Sequence, residues 1–129
     1  MIAAVVILLV SIIPAIMLAE AIARRRRLAD WKKGRVSVED DQFLAEVADI
    51  RASREAVLRV REEIAHATQL PTGLITAKDR IEVLERVGRP THSSVLDYFT
   101  DLLPVDDPKD ESRLVTVRDF VIEFAKQLK

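Results

Sequence analysis

The pattern of hydrophobic and polar positions changes abruptly at residue 24. Nearly every side chain before it is apolar, in MIAAVVILLVSIIPAIMLAEAIA, and four consecutive arginines, Arg24 to Arg27, follow at once. From Met1 to Ala19 no side chain is charged, and a helix of that length covers roughly 28 Å, against about 30 Å of membrane hydrocarbon. The pattern predicts a transmembrane helix over residues 1–23, which Pro14 bends without abolishing.

Two other interpretations of this apolar run remain open. One is the buried core helix of a soluble protein. The other is a cleaved signal peptide, because Ala19-Glu20-Ala21 and Ala21-Ile22-Ala23 resemble cleavage sites. A signal peptide carries its positive charge before the apolar stretch, whereas residues 2–23 contain no Lys or Arg. The order of charge therefore favours a permanent anchor.

The arginines also predict an orientation. Lys and Arg next to a membrane span stay on the cytoplasmic side. We therefore expect a single-pass protein of the cell membrane, with the N-terminus outside and everything after Arg24 in the cytoplasm.

The net charge of the chain changes sign near residue 36. Residues 1–36 carry seven basic and two acidic side chains, a net of +5, whereas residues 37–129 carry 13 basic and 19 acidic side chains, a net of −6. We expect residues 24–36 to form a basic juxtamembrane segment on the lipid head groups of the bilayer, where Trp31 suits the interface. The acidic remainder would repel phosphates, so we expect no nucleic-acid partner. The chain has no cysteine, which excludes disulfides and thiolate metal sites.

About 93 residues follow the basic segment, enough for one small domain. Apolar residues recur there at three- to four-residue steps, which predicts helix from about Val38 to Ala67. Ser37 with Asp40 resembles a capping box at its start, and Ser53 is positioned to cap a second helix after a break. We therefore predict a helical stalk over residues 37–53 and a small helical-bundle domain over residues 54–129.

Three shorter helices are predicted in that domain. Thr76 with Asp79 opens the first, which ends at Gly88; the second begins near Ser93 or Ser94 and ends at Pro104; the third runs from Thr116 to Leu128. Residues 106–112 are predicted to form an acidic loop. Because no alternating strand pattern is found, the predicted fold class is all-α. The core is expected to contain Val57, Val60, Ile64, Leu84, Leu96, Phe99, Phe120, Val121 and Phe124.

The order of these elements resembles that of acyl carrier proteins. The likeness covers roughly residues 54–128, through REEIAHATQLPTGLITAKDRI, SSVLDYFTDLL and VTVRDFVIEFAKQL. In that family the first helix runs into a Leu/Pro loop with an Ile-Thr pair, here Ile75-Thr76. The last helix opens with Thr-Val and an acidic residue, here Thr116-Val117 and Asp119. The resemblance implies a carrier-like helical bundle.

The modification motif of that family is not intact here. Acyl carrier proteins attach a phosphopantetheine arm to the serine of Gly-x-Asp-Ser-Leu, at the start of the second helix. This region reads GRPTHSSV from Gly88, so Ser93 and Ser94 are the nearest matches, without an acidic residue before them. We therefore expect no phosphopantetheine cofactor and interpret the two serines as helix caps.

No other catalytic pattern emerges. His66 and His92 have neither a cysteine partner nor a metal-ligand spacing, and the three glycines are too scattered for a phosphate loop. Neighbouring carboxylates such as Glu62-Glu63 point about 100° apart on a helix, which suits solvated charge better than an acid/base pair. We therefore expect a protein that is not an enzyme and holds no metal.

Three functions remain open. The preferred one is a non-catalytic interaction module that binds a protein partner through an apolar groove between its short helices, around Val95, Tyr98 and Leu102. The second is a membrane-tethered acyl or peptidyl carrier modified on Ser93 or Ser94. The third is an oligomeric coiled-coil scaffold over residues 38–67, although Glu46 and Ser53 interrupt its heptads.

Overall fold

A computed structural model describes residues 1–90, 94–103 and 114–127 of the chain. Within these ranges it is all-helical, as predicted, and its only β-type pairing is an isolated bridge between Arg80 and Thr116. The chain divides into two compact units, Met1–Gly34 and Arg35–Lys129. The helices are α1 (Ile2–Lys32), α2 (Asp40–Glu46), α3 (Arg54–Thr68), a 3-10 turn (Thr72–Leu74), α4 (Ile81–Val87), α5 (Val95–Leu102) and α6 (Val117–Phe124).

Helix α1 accounts for most of the first unit. It runs unbroken for 31 residues, through Pro14 and on through the arginines to Lys32, past the predicted end at residue 23. Its most apolar 18-residue window has a mean hydropathy of 3.0, and none of that window is buried. The Ser11 hydroxyl donates to the Ile7 carbonyl oxygen at 2.9 Å, so this polar group has its acceptor within the helix. The helix is long and apolar enough to cross a membrane.

The segment predicted as a stalk, residues 37–53, belongs instead to the second compact unit. Helix α2 is only seven residues long, and Phe43 and Val47, one turn apart, are both buried. These two apolar side chains keep the segment packed in the unit, because leaving them in water would cost about 1.5–3 kcal/mol each. The stalk prediction is therefore wrong.

The predicted break before Arg54 is confirmed and is wider than expected. Helix α2 ends at Glu46 and α3 begins at Arg54, where the Ser53 Oγ accepts a hydrogen bond from the Ala56 amide at 3.2 Å. The predicted cap at Ser37 is wrong, since α2 begins after Glu39, whose amide donates to the Gln42 side chain at 3.3 Å. A continuous helix over residues 38–67, which the coiled-coil scaffold requires, is not formed.

Helix α3 is the centre of the second unit and contacts α2, the 3-10 turn, α5 and α6. Val57, Val60 and Ile64 form its buried stripe, at the three- and four-residue steps that the sequence predicts. The helix ends at Gln69, which adopts a left-handed φ of 55°. The chain then turns at Leu70-Pro71, as expected.

Helix α4 begins later than predicted, at Ile81 rather than near Thr76. The Thr76–Asp79 motif closes a turn: the Thr76 amide donates to Asp79 Oδ2 at 2.8 Å. The guanidinium of Arg35 holds both carboxylate oxygens of Asp79, at 2.8 and 2.9 Å. Since that carboxylate is engaged by Arg35 and a turn amide, the motif fixes the turn and starts no helix.

Gly88 ends α4 in close contact with the end of α3. The Thr68 carbonyl oxygen accepts a hydrogen bond from the Arg89 amide at 2.7 Å. A Cβ atom at residue 88 would lie 2.2 Å from that same oxygen. Only glycine allows the two helix ends to approach so closely.

Helix α6 begins at its predicted cap. The Thr116 Oγ1 accepts from the Asp119 amide at 3.2 Å, and Asp119 Oδ2 accepts from the Thr116 amide at 2.9 Å, which completes a capping box. The helix ends at Phe124, earlier than predicted. The predicted end at Leu128 lies outside the described residues, as do Pro104 and the acidic segment 106–112.

The core of the second unit is mostly the predicted one. Of the nine residues expected there, Leu96 is half-buried and the other eight are buried. Phe99 stacks on Phe124, with ring centroids 4.8 Å apart, and meets the ring of Phe120 edge-on at 5.5 Å. These aromatic contacts fix α5 against α6.

Candidate interaction groove

An open groove of about 610 Å³ lies between α3 and α5, and we call it the α3–α5 groove. Side chains of both helices and of the loop that follows α3 line it. They are Glu62, Glu63, Ala65, His66, Gln69, Leu70, Thr72, Tyr98 and Leu102.

Helical spacing explains how these residues meet. Glu62, His66 and Gln69 follow one another at steps of four and three, on the face of α3 turned away from its buried stripe, and all three are exposed. On α5, Tyr98 and Leu102 are four residues apart and share one face. The position of α5 is fixed at its start, where the Ser94 Oγ accepts from the Asp97 amide at 3.1 Å.

Tyr98 is held in the groove by Glu63. The Tyr98 hydroxyl donates to Glu63 Oε2 at 2.5 Å, and the His66 ring lies 5.9 Å from the Tyr98 ring, centroid to centroid. Arg59 approaches the same carboxylate, with Nε 3.9 Å from Glu63 Oε1. Burial, reinforced by the hydrogen bond to Glu63, raises the pKa of Tyr98 to about 12. At neutral pH the phenol is therefore a protonated donor with a fixed orientation.

The groove combines negative charge with apolar surface. Within the described part of the chain, two carboxylates, Glu62 and Glu63, line it, and no Lys or Arg does. Asp101 is exposed and lies three residues from Tyr98, on a neighbouring face of α5. The C-terminal turn of α3, the negative end of its dipole, forms one end of the groove. Beside these groups, Leu102 leaves 37% of its surface exposed.

Two of the three residues predicted to surround a binding surface, Tyr98 and Leu102, line the groove. Val95 is buried and takes no part in it. Ser94 caps α5 as interpreted, and Ser93 and His92 lie outside the described residues. Arg24, Arg25, Arg26 and Arg27 lie on α1, in the other unit.

Arg61 is a buried arginine that sequence reasoning missed. Its side chain is 1% exposed and donates to the carbonyl oxygens of Val38, at 2.8 Å, and Ile75, at 3.1 Å. It also reaches Asp40 at 3.3 Å and lies 4.7 Å above the Phe43 ring. Burial lowers the pKa of this guanidinium. Arg61 therefore ties the segment before α2, and α2 itself, to the centre of the unit.

A signal for Arg61 was present in the sequence. The residue stands four positions after Val57 and one after Val60, so it falls on the apolar stripe of α3. A charged residue on such a stripe is buried only when hydrogen-bond partners satisfy it. The pattern indicated its position, and only the fold could supply the partners.

No protein-family model matches the chain, and comparison with curated proteins and with solved structures gives no match. The likeness to acyl carrier proteins therefore remains a prediction from sequence. In the part of the chain that the structure describes, no group of three or more His, Asp or Glu residues is placed to hold a metal ion.

Proposed function

We propose that this protein is a membrane-anchored interaction module. Helix α1 crosses the cell membrane once, and the helical unit Arg35–Lys129 stays in the cytoplasm and binds a protein partner. The observation that carries the proposal is α1, an unbroken helix that exposes apolar side chains around its whole circumference. Such a surface is suited to lipid, and in a membrane it would anchor the folded helical unit that follows.

The proposed orientation is supported by the charges that follow the apolar part of α1. Arg24 to Arg27 continue the helix without a break, and residues 2–23 offer no Lys or Arg to compete with them. Basic residues next to a span are retained in the cytoplasm.

The interaction role is supported by the α3–α5 groove. It is open, it has room for several side chains of a partner, and it presents Leu102 beside a fixed hydrogen-bonding pair, Tyr98 and Glu63. Partly exposed apolar groups next to oriented polar groups are typical of protein-binding surfaces.

A paired reporter experiment tests the anchor and its orientation. One reporter that is active only in the cytoplasm and one that is active only outside are each fused after Lys129. We expect activity from the cytoplasmic reporter alone. Changing Arg24 to Arg27 to Asn should scramble the orientation in part, because Lys32, Lys33 and Arg35 still contribute. Activity from the outside reporter alone would show that the topology is reversed.

The carrier function is a second candidate, because one observation favours it. Ser94 stands at the N-terminus of α5 and is partly exposed, so a serine hydroxyl lies at a helix start, where acyl carrier proteins have theirs. Its Oγ is already engaged in the cap, and the residue before it is Ser93 rather than Asp. We therefore rank this candidate below the interaction module.

A further inference from the structure

The charge and shape of the α3–α5 groove indicate which kind of partner it fits. We infer that the groove binds a basic amphipathic helix of a partner protein, with Lys or Arg side chains beside the carboxylates and a leucine-like side chain against Leu102. The inference rests on the proposed function and names the chemistry of the partner.

Charge complementarity is the first reason. Among the residues that the structure describes, Glu62 and Glu63 line the groove and no Lys or Arg does; Arg59 approaches Glu63 at 3.9 Å, and Glu62 is exposed. The negative end of α3 lies at the same site. An acidic partner or an anionic lipid head group would be repelled here, whereas a basic segment would be attracted.

The apolar part of the groove is the second reason. Leu102 is 37% exposed, whereas Ala65 and Leu70, which also line the groove, are buried. A purely basic, unstructured segment would leave Leu102 uncovered. An amphipathic helix covers it with one face and brings its basic residues to the rim, since side chains three and four positions apart share a face.

Tyr98 favours one type of basic side chain at one position in the groove. Its hydroxyl is committed to Glu63, so the ring is held in place as one wall of the groove, with His66 beside it. A flat aromatic wall next to carboxylates suits the guanidinium of arginine, which stacks on rings and forms two hydrogen bonds to a carboxylate. We therefore expect arginine to be preferred over lysine at the position nearest Tyr98.

Peptide binding to the full chain tests this inference. The protein is placed in phosphatidylcholine nanodiscs, and fluorescence anisotropy follows three labelled peptides of about 18 residues: a Leu/Arg amphipathic helix, a Leu/Glu helix of the same pattern, and a Leu/Arg peptide with its order scrambled. Empty nanodiscs give the lipid background. We expect only the amphipathic Leu/Arg helix to bind and salt to weaken its binding.

Matched variants locate the binding. Glu62→Gln should weaken the Leu/Arg helix about two- to fivefold, and Leu102→Ala should weaken it about tenfold. The controls are Glu55→Gln, an exposed carboxylate at the other end of α3, and Ile122→Ala, an equally exposed apolar residue on α6. Neither control should change the affinity. Equal binding of the Leu/Glu helix, no binding of the Leu/Arg helix, or binding that ignores Glu62 and Leu102 would each overturn the inference.

A second measurement separates this inference from the proposed function. A photo-reactive phenylalanine replaces Leu102, and cross-linking is carried out in intact membranes. A protein adduct together with failure of the Leu/Arg helix would keep the interaction module and reject the basic partner. If no protein adduct forms and no peptide binds, both the inference and the proposed function are rejected.

Discussion

Helices α1 and α3 are both rich in apolar residues, and they place them in opposite ways. In α1, thirteen large apolar side chains from Ile2 to Ile22 are exposed. In α3, Val57, Val60 and Ile64 are buried along one stripe, and charged residues occupy the other faces. Exposing apolar side chains to water costs about 1.5–3 kcal/mol each, so α1 in water would cost tens of kcal/mol. Under the proposed function, this difference suits α1 to lipid and α3 to the core of a folded unit.

The largest expected effect is the loss of membrane association when the exposed apolar part of α1 is removed. Deleting residues 2–23 should move the protein from the membrane fraction to the soluble fraction, because the remaining helix has no apolar span. Sedimentation of lysates after carbonate extraction measures this. A protein that still sediments with membranes after the deletion would place the main membrane contact outside α1.

A core substitution in α6 tests the burial of apolar side chains in the second unit. Phe120→Ala should lower the free energy of unfolding by about 3–5 kcal/mol, because the ring is buried against Phe99 and Phe124. Denaturant unfolding of the full chain in detergent measures the loss. Ile122→Ala, on the exposed side of the same helix, serves as the control and should change stability by less than about 0.5 kcal/mol. Equal effects of the two changes would contradict the burial assigned to α6.

Arg61 tests how α2 is held in the second unit. Arg61→Met should cost about 1–3 kcal/mol for each carbonyl oxygen that loses its donor, those of Val38 and Ile75. Hydrogen exchange of the α2 amides should rise before that of α3. Arg59→Met, at an exposed position two residues away, should leave exchange in α2 unchanged. If α2 exchanges at the wild-type rate without Arg61, other contacts must hold it.

Substitution of Ser94 distinguishes a helix-capping role from attachment of phosphopantetheine. Ser94→Ala should lower stability by about 1 kcal/mol through loss of the bond to the Asp97 amide. Incubation of the wild-type protein with a broad-specificity phosphopantetheinyl transferase and coenzyme A should leave its mass unchanged. Addition of one arm, prevented by Ser94→Ala or Ser93→Ala, would establish the carrier function in place of the interaction module.

The smallest effect concerns Tyr98 and appears only at high pH. Its pKa is about 12 in the fold, above the ordinary value near 10. The folded chain therefore holds the phenol proton of Tyr98 more tightly than the unfolded chain does. The contribution of this group to the free energy of unfolding is complete below pH 10 and is lost as pH rises from about 10 to 12. Tyr98 is the only tyrosine of the chain, so phenolate absorbance reports it alone. A midpoint near 10 would mean that the bond to Glu63 does not persist in solution.

Local signals predicted much of the fold. Ser53, Ser94 and Thr116 each cap a helix where the sequence placed one, because a side-chain oxygen before an apolar stripe satisfies free amides whatever surrounds it. Thr76 failed as a helix start although its motif is of the same kind. Its carboxylate partner, Asp79, is held by Arg35, 44 residues earlier in the chain, and no local pattern reveals such a contact.

The site was predictable only in part for the same reason. Tyr98 and Leu102 share a face of α5 by helical spacing alone, so their place on a common surface followed from the sequence. Their neighbours Glu62, Glu63 and His66 come from α3, and only the packing of the two helices brings them together. The predicted stalk failed because Phe43 is buried where α2 contacts α3, with the Arg61 guanidinium 4.7 Å from its ring, and no local pattern reveals that contact.

The contact at Gly88 has a consequence for the evolution of this chain. Every other amino acid has a Cβ, and at residue 88 that atom would overlap the backbone oxygen of Thr68, which no rotamer change can relieve. Mutations at this codon should therefore be removed by selection in any descendant that keeps the two helix ends together. A homologue that has diverged beyond recognition elsewhere is expected to retain this glycine.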